Sequence, residues 1–416
     1  MDKLIKWLEN SFAPKLQKIT NLTWIVVIKD SMMQLLPFIL AGSIFCVGTI
    51  LNDYIPALPS FWTPFGWTMS KIGLMASFLI PFNYCEKKRF RKQRILAGFT
   101  GMMLFMICID PQSAEEMGQG HALYGANGMF VAIFTGIIVG LVFGAFAKFS
   151  FFKEDSVIPD FVRQWFDSLL PIMLLIAGGW LIVQVAGVDV AGAVQAVFMP
   201  LQSALTSPVG FVFFCFLSCF IYSMGISTWV LTPVSEPVKL AVVAANLELV
   251  AAGTATVANL GVFTETFMFC TYLWIGGIGC TLSLCLLMMF ICKSSELKAL
   301  GRACVVPGIF NINEPIIFGA IAWNPLLMLP MWLQGIILPI VTYLFTKVIP
   351  FAPIPRIQFD LWYCPYPIST FISTQGSITG VIFAILTFVL SAVIWFPFVK
   401  AYDDQKVKEE TAAIKA

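Results

Sequence analysis

The sequence predicts an all-α polytopic membrane protein of about ten transmembrane helices, with re-entrant hairpins and amphipathic surface helices. Three observations carry this. The 416 residues are 59% hydrophobic and only 12% charged, against about 25% charged in a soluble domain. Apolar runs of about 20 residues, the length that spans a bilayer, recur along the chain. Basic residues collect in alternate connections between those runs, as the positive-inside rule requires.

Residues 1–20 set Leu4, Ile5, Trp7, Leu8, Phe12, Leu16 and Ile19 against Lys3, Lys6, Lys15 and Lys18. This pattern predicts a surface helix with a basic face lying on the inner side of the membrane. It does not resemble a cleavable signal, so the N-terminus is expected in the cytoplasm. Five apolar runs follow, near 30–51, 65–84, 95–110, 129–147 and 169–188. Connections 52–64, 111–128 and 189–207 contain no Lys or Arg, whereas 87–94 holds six and 148–164 holds Lys148, Lys153 and Arg163. The stretch 149–168, with Pro159, Phe161, Trp165 and Phe166 among charges, predicts a second surface helix. It links an N-terminal membrane domain, 1–148 completed by the fifth span at 169–188, to a C-terminal domain at 189–400.

In the second half, crossings are expected near 208–224, 257–274, 276–292, 325–346 and 379–399. Between them Pro233, Pro237 and the stretch 303–324 interrupt the apolar pattern, which predicts re-entrant segments. Ten crossings return the tail 401–416 to the cytoplasmic side, where Lys406 and Lys408 accompany Asp403, Asp404, Glu409 and Glu410. The eleven cysteines show no C-x-x-C spacing and no histidine beside them, so they read as free thiols packed in apolar surroundings. The lone histidine, His121, falls in an outward-facing connection. No metal, cofactor or nucleic-acid partner is expected.

One stretch departs from this lipid-soluble character: Pro307-Gly-Ile-Phe-Asn-Ile-Asn-Glu-Pro-Ile-Ile-Phe-Gly319, closed by Asn324-Pro325. Pro315 lacks an N–H and fits the first turn of a helix, which puts Asn313 and Glu314 at a helix start. Irregular backbone at membrane depth survives only where it is buried in protein or lines a wet cavity, and an acid there is a candidate functional group. Glu236, Lys239, Asn246, Glu248, Asn259, Glu265, Asn311, Asn313 and Asn324 share this half with Trp229, Trp274, Trp323 and Trp362. Sugars need that mixture. Amides and carboxylates pair with hydroxyls while aromatic faces cover the apolar side of the ring.

Several stretches resemble the membrane-embedded IIC component of bacterial phosphotransferase-system transporters, the lactose, cellobiose and diacetylchitobiose family. Ile28-Lys-Asp-Ser-Met-Met-Gln-Leu-Leu-Pro-Phe-Ile-Leu-Ala-Gly-Ser43 is similar to the family's first span, and Gly125-Ala-Asn-Gly-Met-Phe130 to its G-x-x-G-x-F element. Trp274-Ile-Gly-Gly-Ile-Gly-Cys-Thr-Leu282, Lys298-Ala-Leu-Gly-Arg302 and Pro307 to Gly319 resemble its most specific motifs. The resemblance implies a homodimer in the bacterial inner membrane, with both termini cytoplasmic and IIB and IIA phosphocarrier partners. It also implies a disaccharide site in the second half. There Glu314 contacts the hydroxyl that is phosphorylated, and Trp362 stacks on the sugar. Ser227, Asn311, Asn313, Trp229 and Asn259 complete the candidate site. Two positions depart from the family: Gly225-Ile-Ser227 stands where it has Gly-Ile-His, and Trp362 lacks the proline expected before it. Ser227 can hydrogen-bond but its hydroxyl cannot act as a base, which leaves a buried Glu314 to accept the sugar proton alone. The alternative implied by the missing histidine is a non-phosphorylating facilitator, sensor or receptor.

Overall fold

The computed structural model describes residues 15, 18, 21–55, 57–109, 122–147, 149–152 and 159–415. His121 and nearly all of the surface helix expected over 1–20 lie outside these residues. What is described is all-helical. In the N-terminal half α1 (Thr23–Tyr54), α2 (Trp62–Thr68), α3 (Ile72–Lys87), α4 (Arg94–Ile109), α5 (Met129–Phe146) and α6 (Asp160–Trp180) follow one another. α3 is central, packing on α1, α4 and α5, while α6 leans on α4 and α5. Side-chain amides join α1 to α3 inside this apolar layer: Asn83 Nδ2 donates to Ser31 Oγ at 2.9 Å and to Gln34 Oε1 at 3.1 Å. Such bonds hold helices together where lipid supplies no hydrophobic drive.

The second half contains α7 (Val190–Thr206), α8 (Pro208–Ser223), α9 (Thr232–Ala251), α10 (Thr281–Phe290), α11 (Ser295–Ile309), α12 (Pro325–Tyr343), α13 (Ile368–Ser373) and α14 (Ile378–Lys415). α12 packs on α8 and α14, and α10 on α11 and α14. α9 reaches across to α1 and the turn at Ala126–Gly128, joining the halves. Ser207 ends α7 and starts α8; its Oγ accepts from Gly210 N at 3.0 Å, and the two helices meet at 79°.

Among the described residues five helices are long and apolar enough to cross a membrane, or six if the bent pair α7 and α8 is one span. The difference from ten has physical causes. The runs near 65–84 and 95–110 form helices of 16 residues each (α3 and α4), about 24 Å long and shorter than the roughly 30 Å hydrocarbon core, and the run near 208–224 forms the 16-residue α8, which continues α7 through the bend. The runs 257–274 and 276–292 are not continuous helices: non-helical chain leads to the π-helical Thr266–Tyr272, then to a glycine turn, and only then to α10. Their apolarity reflects burial in protein, since Leu260, Phe263, Leu273 and Ile275 are all buried. Pro233 likewise does not make a hairpin; it occupies the first turn of the continuous 20-residue α9, where its missing N–H costs nothing.

Candidate functional site

A cavity of 410 Å³ opens where the irregular segments of the second half meet α1. Leu36, Ile39 and Leu40 of α1 form one wall, with Ser218 and Tyr222 of α8 and Glu236 and Lys239 of α9 beside them. Glu265, Trp274, Asn311, Asn313, Glu314, Asp360 and Trp362 close it.

α11 ends at Ile309, and Asn311 then takes the left-handed conformation, φ +60°, which turns the chain into the cavity wall. Its amide is fully engaged. Oδ1 accepts from Gly276 N at 2.7 Å, while Nδ2 donates to the carbonyl oxygens of Phe269 and Trp362. Asn313 is also a strut: Nδ2 donates to Ile278 O at 2.9 Å, and Oδ1 accepts from Tyr222 OH at 3.3 Å. These bonds need the loop at 276–279 to pass very close. A Cβ on Gly277 would lie 2.4 Å from the Asn313 amide carbon, and its φ of +96° disfavours any other residue. Glu314 opens the helical turn Glu314–Ile316, as Pro315 predicts, and continues into the π-helical Ile317–Ile321. It lines the cavity and is exposed rather than buried.

The seven candidate residues divide. Trp229, Asn311, Asn313, Glu314 and Trp362 line the cavity together. Trp362 Nε1 is buried there with no hydrogen-bond partner among the described residues. Ser227 is exposed just ahead of the 3-10 turn Thr228–Leu231 and is not among the lining residues. Its loop nonetheless abuts the segment after Glu314, with Gly225 close to Trp323 and Phe318. Asn259 lies outside the cavity and caps its own turn, Oδ1 accepting from Thr256 N at 2.7 Å and Nδ2 donating to Thr254 O at 2.9 Å. Asn246 and Asn324 are spent locally as well, on Gly261 and on the start of α12. Trp274 is buried, not at a lipid interface.

Sequence reasoning missed Asp360 and Tyr222. Asp360 accepts from Thr266 Oγ1 at 2.9 Å and Gln358 Nε2 at 2.6 Å. It sits in a proline-rich stretch without helical period, two residues before a tryptophan already singled out; an acid in that setting was the available signal. Lys239 Nζ bridges Glu236 Oε2 at 2.7 Å and the carboxylate of Glu265, a buried ionic cluster facing the same cavity.

The model of the phosphotransferase system EIIC family matches residues 29–335. The chain belongs to that family. This EIIC chain is 29% identical to the lactose-specific EIICB component of Staphylococcus epidermidis, over 99% of its own length and 72% of that protein's. It is 28% identical to the cellobiose-specific EIIC component of Geobacillus stearothermophilus, over 99% and 97% of the two chains. Its fold is similar to the crystal structure of ChbC, the IIC component of the N,N'-diacetylchitobiose-specific phosphotransferase system, with a TM-score of 0.87 at 26% identity, covering 97% and 99% of the chains. The family match takes in Glu314 and most of the cavity wall, and ends before Asp360 and Trp362.

Proposed function

We propose that this EIIC protein binds a disaccharide of the cellobiose, chitobiose or lactose class in the 410 Å³ cavity and carries it across the inner membrane for phosphorylation. The volume falls within the roughly 300–1,000 Å³ of small-molecule sites. Trp229 and Trp362 cover the apolar faces of the rings. Asn311 and Asn313 act by position. They tie the Trp274–Cys280 loop, Trp362 and the Glu314 turn into one frame.

At the reactive end the sugar hydroxyl attacks phosphorus held by a IIB partner. The new O–P bond forms as the bond to the carrier breaks, and the hydroxyl proton passes to Glu314. Phosphoryl transfer rests mostly on positioning and charge stabilisation, so one carboxylate without the histidine is compatible with it. Ser227, on the adjoining loop, contributes at most a hydrogen bond. IIA, surrounding lipid, a homodimer and cytoplasmic termini complete the assembly in this reading. Glu314 on the wall of an aromatic-lined cavity is the observation that carries it. The facilitator, sensor or receptor alternative is less favoured, since similarity to EIIC proteins runs through 99% of the chain. Uptake of labelled disaccharides into cells holding the cognate IIA and IIB proteins tests the reading. Phosphorylated sugar inside supports it; accumulation of free sugar only supports the alternative.

A further inference from the structure

A cleft of 700 Å³ opens at one edge of the N-terminal half and shares no lining residue with the sugar cavity. The loop between α3 and α4, the chain just past α5 and the first turn of α6 enclose it. α5 and the segment Val162–Val185 are both long and apolar enough to cross a membrane, so their ends at Phe146 and Val162 set the cleft at the level of the lipid headgroups. Gln164 Nε2 donates to Lys92 O, which draws the two basic connections of this half to the same edge. Those connections, 86–94 and 148–167, hold nine Lys and Arg against five Asp and Glu. Within the cleft the balance is steeper: Arg89, Arg91, Lys92 and Arg163 line it, and Asp167 is the one acid among the described lining residues. Asp167 accepts from Phe151 N at 2.8 Å. Arg91 pairs with Glu86 at 3.0 Å, whereas Arg89 forms no ion pair with any described residue. Behind this basic rim Gln93 is only 8% exposed, and its Oε1 has no hydrogen-bond partner among the described residues. A buried amide oxygen left so is rare and points to a donor from outside the chain. The exposed rings of Phe149, Phe151 and Trp165 flank the cleft, aromatic groups of the kind that gather at the membrane–water boundary.

We propose that this cleft binds the headgroup of an anionic phospholipid that carries an alcohol, phosphatidylglycerol. The lipid phosphate meets the guanidinium groups, whose planar donors match its oxygens in pairs. A headgroup hydroxyl donates to Gln93 Oε1, and the acyl chains pass between the flanking rings into the bilayer. A basic pocket at a helix edge is suited to a lipid headgroup, and it differs from a polybasic segment that attracts anionic lipid at a distance. The buried amide is what favours a small headgroup over an acidic protein surface, which would meet the exposed arginines alone. The bound lipid ties the α3–α4 loop to the start of α6, two segments otherwise joined across the cleft by the Gln164–Lys92 bond.

The test titrates the purified full-length protein in mixed micelles with phosphatidylglycerol, with phosphatidylcholine, and with phosphatidylethanol, which has the same single charge as phosphatidylglycerol and no headgroup hydroxyl. Bound lipid is counted by native mass spectrometry. Phosphatidylglycerol should bind at least about tenfold more tightly than phosphatidylcholine; equal affinity overturns the proposal without any variant. Arg89→Gln should weaken phosphatidylglycerol about fivefold, the effect of one basic group beside an anionic headgroup. Lys88→Gln removes the same charge from an exposed neighbour that does not line the cleft, and should leave the affinity unchanged. Equal losses in the two variants would mean diffuse attraction by the loop and would overturn the site. Phosphatidylglycerol should also exceed phosphatidylethanol about fivefold, one hydrogen bond's worth, and Gln93→Leu should erase that preference. No preference in the wild type, or one that survives in Gln93→Leu, defeats the assignment to phosphatidylglycerol. If Arg89→Gln instead leaves lipid binding intact and slows phosphorylation by the IIB protein, the cleft serves an acidic protein surface and the proposal fails.

Discussion

At the scale of single residues, the cavity wall is held by contacts that leave no room for change. Gly277 shows this most clearly. A methyl group there meets the Asn313 amide, and the φ of +96° places an L-residue in a disfavoured region. The backbone cost alone is about 1–2 kcal/mol, and the clash pushes on the residue that precedes Glu314. Gly277→Ala is therefore expected to leave an assembled protein with sugar affinity reduced about tenfold or more, read by quenching of tryptophan fluorescence on titration with disaccharide. Unchanged affinity would show that the Gly277–Asn313 contact does not set the position of Glu314. The asparagines make a related point. Their presence beside Glu314 was legible in the sequence, but their roles were not, because composition cannot tell whether an amide faces a ligand or a carbonyl.

At the scale of elements, α11 is fixed at both ends, and the site hangs from its C-terminus. Asp403 of α14 accepts from Lys293 N at 2.9 and 2.8 Å and from Ser294 N at 2.8 Å, while Glu410 accepts from Ser294 Oγ at 2.7 Å and Glu296 N at 3.0 Å. Carboxylates at a helix start satisfy its free N–H groups and complement its dipole. Asp403 is buried, so Asp403→Asn is expected to cost about 1.5–3 kcal/mol, the range for hydrogen bonds to a charged group. Faster amide exchange at residues 293–297, with exchange in α3 unchanged, is the expected sign. Uniform exchange in both would mean the tail does not anchor α11. The same scale explains the error over 257–292. Apolar sequence predicted two crossings, yet Gly276, Gly277 and Gly279 all take positive φ, and the segment is divided into the π-helical Thr266–Tyr272, a glycine turn and the ten-residue α10.

At the scale of the molecule, the all-helical membrane class, the break before Glu314 and the gathering of tryptophans around a cavity were legible, because each rests on a local rule: apolar length, proline placement, or an acid where lipid-facing chain cannot carry one. The joining of the halves was not legible. Leu36, Ile39 and Leu40 reach the cavity from far up the chain, and Asp360 arrives on a segment with no periodicity to mark it. Orientation is a whole-molecule property that the charge pattern predicts. The six basic residues in 87–94 predict that this loop faces the cytoplasm. Lys88 is exposed and nine of the ten described cysteines are buried, so Lys88→Cys should resist an impermeant thiol reagent in intact cells and react in inverted vesicles. Labelling in intact cells would reverse the topology.

The account turns on Glu314 as the group that takes the sugar proton. The direct measurement compares wild type and Glu314→Gln, purified and supplied with phosphorylated IIB and the disaccharide the wild type binds, reading sugar affinity and phosphorylated product together. The amide keeps the volume and a hydrogen-bonding oxygen but cannot accept the proton. Affinity should change modestly, while the rate of product formation should fall about 10²- to 10⁴-fold, the usual contribution of a positioned base. A Glu314→Gln protein that phosphorylates sugar at the wild-type rate would contradict the account.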